Sequence, residues 1–142
     1  DGLNLLSQQF DRVYIDTPPA FNFFTLSALI AADRVIVPFD CDIFSKRALQ
    51  TLVQNILETR QDHNSDLLIE GIIVNQFDPR ANLPKEVVQT LVNEGYPVYD
   101  TKLSPSIMMK QSHHQSLPLI YLDPKHKLTQ QYAALYQEIE SR

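Results

Sequence analysis

Glycine is scarce in this chain of 142 residues: Gly2, Gly71 and Gly95 stand alone and far apart. A loop that cradles phosphate needs clustered glycines followed by Lys and Ser or Thr, so that bare N–H groups can surround the anion. These residues contain no such loop. Cysteine is nearly absent, and the single Cys41 excludes an internal disulfide framework and fits a reducing compartment. Positive charge is in deficit, 12 Lys and Arg against 17 Asp and Glu, for a formal net charge of −5. That argues against a wholesale nucleic-acid coat and leaves room for a local basic face. The longest apolar run, Phe23 to Ala32, is interrupted by Thr25 and Ser27 and is too short to span a bilayer. No leader pattern, internal repeat or low-complexity tract is evident. What remains is one globular domain's worth of chain with enough apolar residues for a core. Asp1 in place of an initiating Met suggests a processed or excised piece.

The most informative stretch is Arg12-Val13-Tyr14-Ile15-Asp16-Thr17-Pro18-Pro19. Val13 to Ile15 is a short run of strand-formers, and the two prolines remove backbone donors and stop a strand there. Asp16 is thereby expected at the carboxyl end of a buried strand, where open α/β sheets bind their ligands. A carboxylate in that position serves a metal ion or a phosphate-bound water; equally, it opens a turn.

Before it, Leu3, Leu6 and Phe10 share a helical face. After it, Asn22 is expected to cap an almost wholly apolar helix to Ala32, either deeply buried or half of an interface. Arg34 to Phe39 reads as a second strand closed by Pro38 and the acidic cluster Asp40-Cys41-Asp42. A long helix from Ser45 carries Ala48, Leu49, Leu52, Val53, Ile56 and Leu57 on one face. Leu67 to Val74 is a third strand stopped by Asn75. Asn82 is expected to cap a helix that Gly95 terminates in the left-handed region. Pro97 to Leu103 reads as a fourth strand, Ser104 to Leu117 has no clear period, and Leu119 to Tyr121 is a small strand or extended connection. Leu128, Tyr132, Leu135 and Ile139 mark a last helix. Alternation of strands and helices predicts an α/β three-layer sandwich on a mainly parallel, doubly wound sheet.

In this order the pieces resemble the deviant-Walker partition ATPases of the ParA/MinD group. Tyr14 to Pro19 resembles that family's second nucleotide motif. Thr25 to Asp33 with Val35 to Pro38 resembles the helix and strand that follow it. Gly71 to Leu83 resembles the strand and loop beside the nucleotide base, and Pro118 to Pro124 the approach to the last helix. The resemblance spans nearly the whole chain and implies a P-loop NTPase fold with its N-terminal part missing, residues 1–142 being the C-terminal portion of one nucleotide-binding domain. It implies ATP and Mg2+ as cofactors, an ATP-dependent homodimer released by hydrolysis, a stimulating ParB-like partner, and a cytoplasmic role in positioning plasmids, chromosomes or protein clusters. Asp16 then acts on the magnesium shell, and Thr17 with Pro18 belongs to the switch that senses the γ-phosphate. Asn75 lies near the base, whose edge an amide suits, or is simply a strand-end turn residue. The phosphate loop and its lysines lie outside these residues, so this chain alone is expected to be inactive.

Relatives that bind DNA without sequence preference do so through basic surface residues; Arg80 and Lys110 match such positions, and Lys102, Lys125 and Lys127 stand nearby. The arginines that several relatives carry around Ser104 to Met108 are missing, which thins the electrostatic attraction. The tail from Gln130 to Glu140 lacks the basic face that anionic lipid requires, so no membrane contact is expected and the tail should pack on the sheet. Asp40 and Asp42 fit helix-capping better than a metal site with Asp16. Cys41 has no partner set for a nucleophile, His113 and His114 diverge as co-ligands, and Met108-Met109 suits packing. The rival readings are a phosphoacceptor receiver-like domain with Asp16 and Lys102, and a non-catalytic interaction module using the apolar Phe23 to Ala32 helix.

Overall fold

The computed structural model describes residues 2–142. Its centre is a parallel pair, β1 (Arg34–Asp40) and β2 (Leu68–Asn75), in register from Arg34 opposite Leu68 to Asp40 opposite Asn75. The alternation of a strand sends successive side chains to opposite faces, and here both faces are covered. Val37, Phe39, Ile72 and Val74 pack with Leu29 of α2 (Phe23–Ala31), Leu49 and Ile56 of α3 (Ile43–Asp62) and Leu91 of α4 (Asn82–Asn93). Ile36 and Ile73 face the other way. They meet Tyr99, Leu103, Met108 and Met109 of α5 (Ile107–His114), Leu119 of α6 (Leu119–Leu122), and Leu128, Leu135 and Ile139 of α7 (Lys127–Glu140). Three layers result, and the tail does lie on the sheet. None of the helices is long and apolar enough to cross a membrane, among the described residues.

Several ends are written locally. The Asn22 side chain accepts from the Phe24 and Thr25 N–H groups at 3.0 and 3.2 Å and caps α2. Asp42 accepts from Ser45 N–H at 2.7 Å and caps α3, the capping role expected of it. Gly95, at φ +84°, ends α4: its N–H reaches Val92 O, and Tyr96 N–H reaches Leu91 O, the paired bonds of a Schellman closure.

Other expectations change. Residues 97–103 form only a rudimentary third strand: Val98 bridges Ile72, with Tyr99 N–H to Ile72 O at 3.0 Å and Leu103 N–H to Val74 O at 2.9 Å. Pro38 lies inside β1, which ends at Asp40 in the acidic cluster expected to help close it. β1 pairs on one side only, and an edge strand tolerates a residue without N–H. Asn82 is the first helical residue of α4 rather than its cap; that position is Ala81. Residues 119–122 are a short helix, not a strand, and α5 occupies the segment that showed no period, capped by Ser106 accepting from Met108 N–H.

The largest departure is the expected strand at Val13 to Ile15. A short first helix, α1 (Gly2–Ser7), forms but ends before Phe10, and residues 12–18 have no regular structure and no backbone hydrogen bond to a strand, among the described residues. Val13, Tyr14 and Ile15 are exposed, Tyr14 by 65%. A strand needs a ladder partner, and none lies beside this stretch. Its anchor is an ion pair at 3.2 Å between Arg12 and Glu140 of α7.

Candidate functional site

At the carboxyl end of the sheet, β1, β2 and the 97–103 segment deliver Asp40, Asn75 and Ser104. The Asn75 amide donates to Asp40 Oδ1 at 2.9 Å and laces the two strand ends together. Just past them lies a cavity of about 380 Å3 walled by Phe77, Asp78, Pro79 and Arg80 on one side. Ser104, Pro105 and Ser106, with His126, Lys127 and Leu128 at the start of α7, close the other. The loops are stitched to the sheet: Phe77 N–H reaches Leu103 O at 2.9 Å. Open α/β sheets place ligands at this end.

Arg80 binds Asp78 through both ends of its fork, Nε to Oδ1 and Nη2 to Oδ2, each at 3.0 Å, and its own N–H also reaches Oδ1. Those Arg80 bonds hold the Asp78 carboxyl down at about 2. Arg80 stays 88% exposed at the side chain, so it remains displayed to solvent while partnered by a carboxylate. His126 caps α7 through Nδ1, accepting from Leu128 N–H at 3.1 Å.

Of the expected site residues, Asp16, Thr17 and Pro18 lie together in the irregular 12–18 stretch, all exposed. Asn75 stands at the strand end beside the cavity loop but is engaged with Asp40. Lys110 is exposed on α5. Lys102 is turned inward, donating to Tyr99 O and Asp100 O at 2.8 and 3.0 Å, which removes the free lysine a receiver-like site needs. Cys41 is buried with Sγ donating to Pro84 O at 3.4 Å, and burial pushes the thiol up, against a nucleophile. No three His, Cys, Asp or Glu side chains gather into a metal-holding group among the described residues. Sequence reasoning missed Ser104, His126 and Gln131. Ser106 was findable as a cap ahead of Ile107, whereas the pairing of Ser104 with Gln131 across 27 positions leaves no local signal.

A second groove of about 800 Å3 runs between α5, α6 and α7 and is lined by Leu117, Ile120, Tyr132 and Tyr136 among others. It has no Asp, Glu, Lys or Arg in its walls, which makes it unfit for a polyanion.

A parallel sheet sheathed on both faces, with a cavity of mixed polar and apolar lining at its carboxyl end, defines the class as an α/β domain of the P-loop fold. A family model described as an AAA domain matches residues 1–69. The chain is 33% identical to the chromosome partitioning protein ParA of Myxococcus xanthus, over 100% of this chain and 50% of that protein. It is 28% identical to the sporulation initiation inhibitor protein Soj of Bacillus subtilis, over 97% and 55%. A solved structure of cobyrinic acid a,c-diamide synthase from Mycobacterium smegmatis, with bound ADP and magnesium, superposes with a TM-score of 0.67 at 30% identity, covering 73% of this chain and 43% of that one. Along its whole length the chain is similar to ParA- and Soj-type proteins, and it spans about half the length of the curated relatives it matches.

Proposed function

We propose that the chain is the C-terminal portion of a ParA-like nucleotide-binding domain, and that the intact protein is a partitioning ATPase switched between monomer and dimer by ATP. The observation that carries this is the pairing of two unsatisfied pieces. Among the described residues, the run Val13-Tyr14-Ile15-Asp16-Thr17-Pro18-Pro19 has strand chemistry but no ladder, and β1 is paired along one edge only. A strand from upstream chain, lying between them, would satisfy both and bring Asp16 to the carboxyl end of the sheet.

In this reading Asp16 orders the magnesium shell, Thr17 and Pro18 form the γ-phosphate switch, and the cavity beside Asn75 receives the base. The residues present fit a base but not a triphosphate: the cavity offers neutral and charged polar groups, while the glycine-lysine cradle is not among them. The exposed aromatic face of α2, Phe23 and Phe24, supplies a contact for a second copy. Arg80 and Lys110 contact DNA phosphates, weakly given the net charge, and a ParB-like protein stimulates turnover in the bacterial cytoplasm.

The test is magnesium-dependent ATP hydrolysis by the full-length gene product and by residues 1–142. The full-length protein is expected to turn over ATP and to dimerise with it, Asp16→Ala to abolish turnover, and the shorter chain to be inactive. Robust hydrolysis by residues 1–142, or none by the full-length protein, overturns the reading.

A further inference from the structure

Ser104 and Gln131 form a two-point lock between the cavity wall and α7. Ser104 N–H donates to Gln131 Oε1 at 3.0 Å, and Gln131 Nε2 donates to Ser104 Oγ at 3.0 Å. Amide orientation is fixed here by chemistry: a backbone N–H only donates, so the oxygen of the amide must face it and the NH2 must face the hydroxyl. The Ser104 oxygen is therefore an acceptor toward Gln131, and its own proton is the part left over. That proton has no acceptor among the described residues, and Ser104 lines the cavity. Asp78, on the same cavity wall, is engaged by Arg80 at both oxygens.

We infer that Ser104 is a specificity-determining donor, presenting O–H to an unprotonated ring nitrogen of the base, and that Gln131 is the positioning residue that sets this polarity. The inference rests on the nucleotide reading above and adds to it the atom type that the wall selects. Gln131 touches no ligand. Its effect passes through the hydroxyl it turns.

Reversing the polarity provides the experiment. In Gln131→Glu both carboxylate oxygens accept, so the Ser104 N–H keeps its partner while the hydroxyl proton turns to Glu and away from the cavity. Affinities of the full-length protein for ATP and for 1-deaza-, 3-deaza- and 7-deaza-ATP are measured with Ser104→Ala, Ser104→Thr, Gln131→Glu and the Ser104→Ala/Gln131→Glu double variant. In the wild type one analogue is expected to bind roughly three- to tenfold more weakly than ATP, the scale of one neutral hydrogen bond. Ser104→Ala and Gln131→Glu each erase that ratio, the double variant adds nothing further, and Ser104→Thr restores it. A lock that is only structural would lower thermal stability without moving the ratio. Equal ratios in the wild type and Ser104→Ala overturn the inference alone. No ATP binding by the wild type removes the nucleotide reading and this inference with it.

Discussion

Residues 2–21 and residues 34–142 are equally apolar in pattern and opposite in fate. In the larger region nearly every strand residue from Val35 to Val74 has a helix against it, and Ile72 and Val74 are wholly buried. In the smaller one Leu5, Phe10, Val13, Tyr14 and Ile15 are all exposed, although Val13 to Ile15 is as good a strand-former as the centre of β1. Hydrophobicity supplies a tendency to be covered, but a sheet grows only by edge pairing, and coverage follows pairing. The contrast separates apolar residues that a sheet and its helices cover from apolar residues that lack a strand partner among the described residues.

The strongest way to probe that contrast is a pair of matched truncations. Ile72→Ala is expected to cost about 2–5 kcal/mol by urea unfolding, since the site is closed on all sides. Ile15→Ala should cost about 0.5 kcal/mol or less in residues 1–142, as at an open surface site. In the full-length protein the same Ile15 change should rise into the buried range, ~2–5 kcal/mol. An unchanged small value there means that residues 13–15 stay outside the sheet.

Next in size is Gly71→Ala. A methyl at this position would stand 2.4 Å from Tyr99 Cε2, and the ring has little room to move, with the Arg142 guanidinium 4.2 Å above its centre. Overpacking of this kind costs about 1–3 kcal/mol, read as a lowered urea midpoint at constant slope.

The smallest effect is on titration. The Asp78 carboxyl, ordinarily 3.8, is held at about 2 by Arg80, so its pairing is complete above the unfolded value and is lost as pH falls through about 2. Carboxyl NMR should show that midpoint, and Arg80→Ala should return it toward 3.8. Asp78→Asn also removes one negative charge beside Arg80, and if Arg80 faces DNA it should tighten non-specific binding and steepen its salt dependence.

Much of the architecture was legible in the chain. Leu49, Leu52, Val53 and Ile56 at helical spacing, Asn22 and Asp42 ahead of helices, and Gly95 behind one all act through contacts within a few residues. What could not be read depended on distant partners. Pro38 looked like a stop because nothing in the sequence says which side of β1 is paired. The 97–103 segment has strand chemistry but meets β2 through only a few bonds. At the site, the order of Asp16, Thr17 and Asn75 pointed to the resemblance, while Ser104 of the cavity wall and Gln131 behind it come together only after α7 docks through Leu128 and Leu135.

The unpaired margin of β1 has a practical side. If a piece of upstream chain inserts there, nothing in the geometry requires that it arrive covalently joined. A strand supplied as a separate polypeptide should then slot in beside Arg34–Asp40 and pair with it in trans. A split reporter follows from that edge: a strand-bearing polypeptide supplied in trans would give signal only where it meets β1.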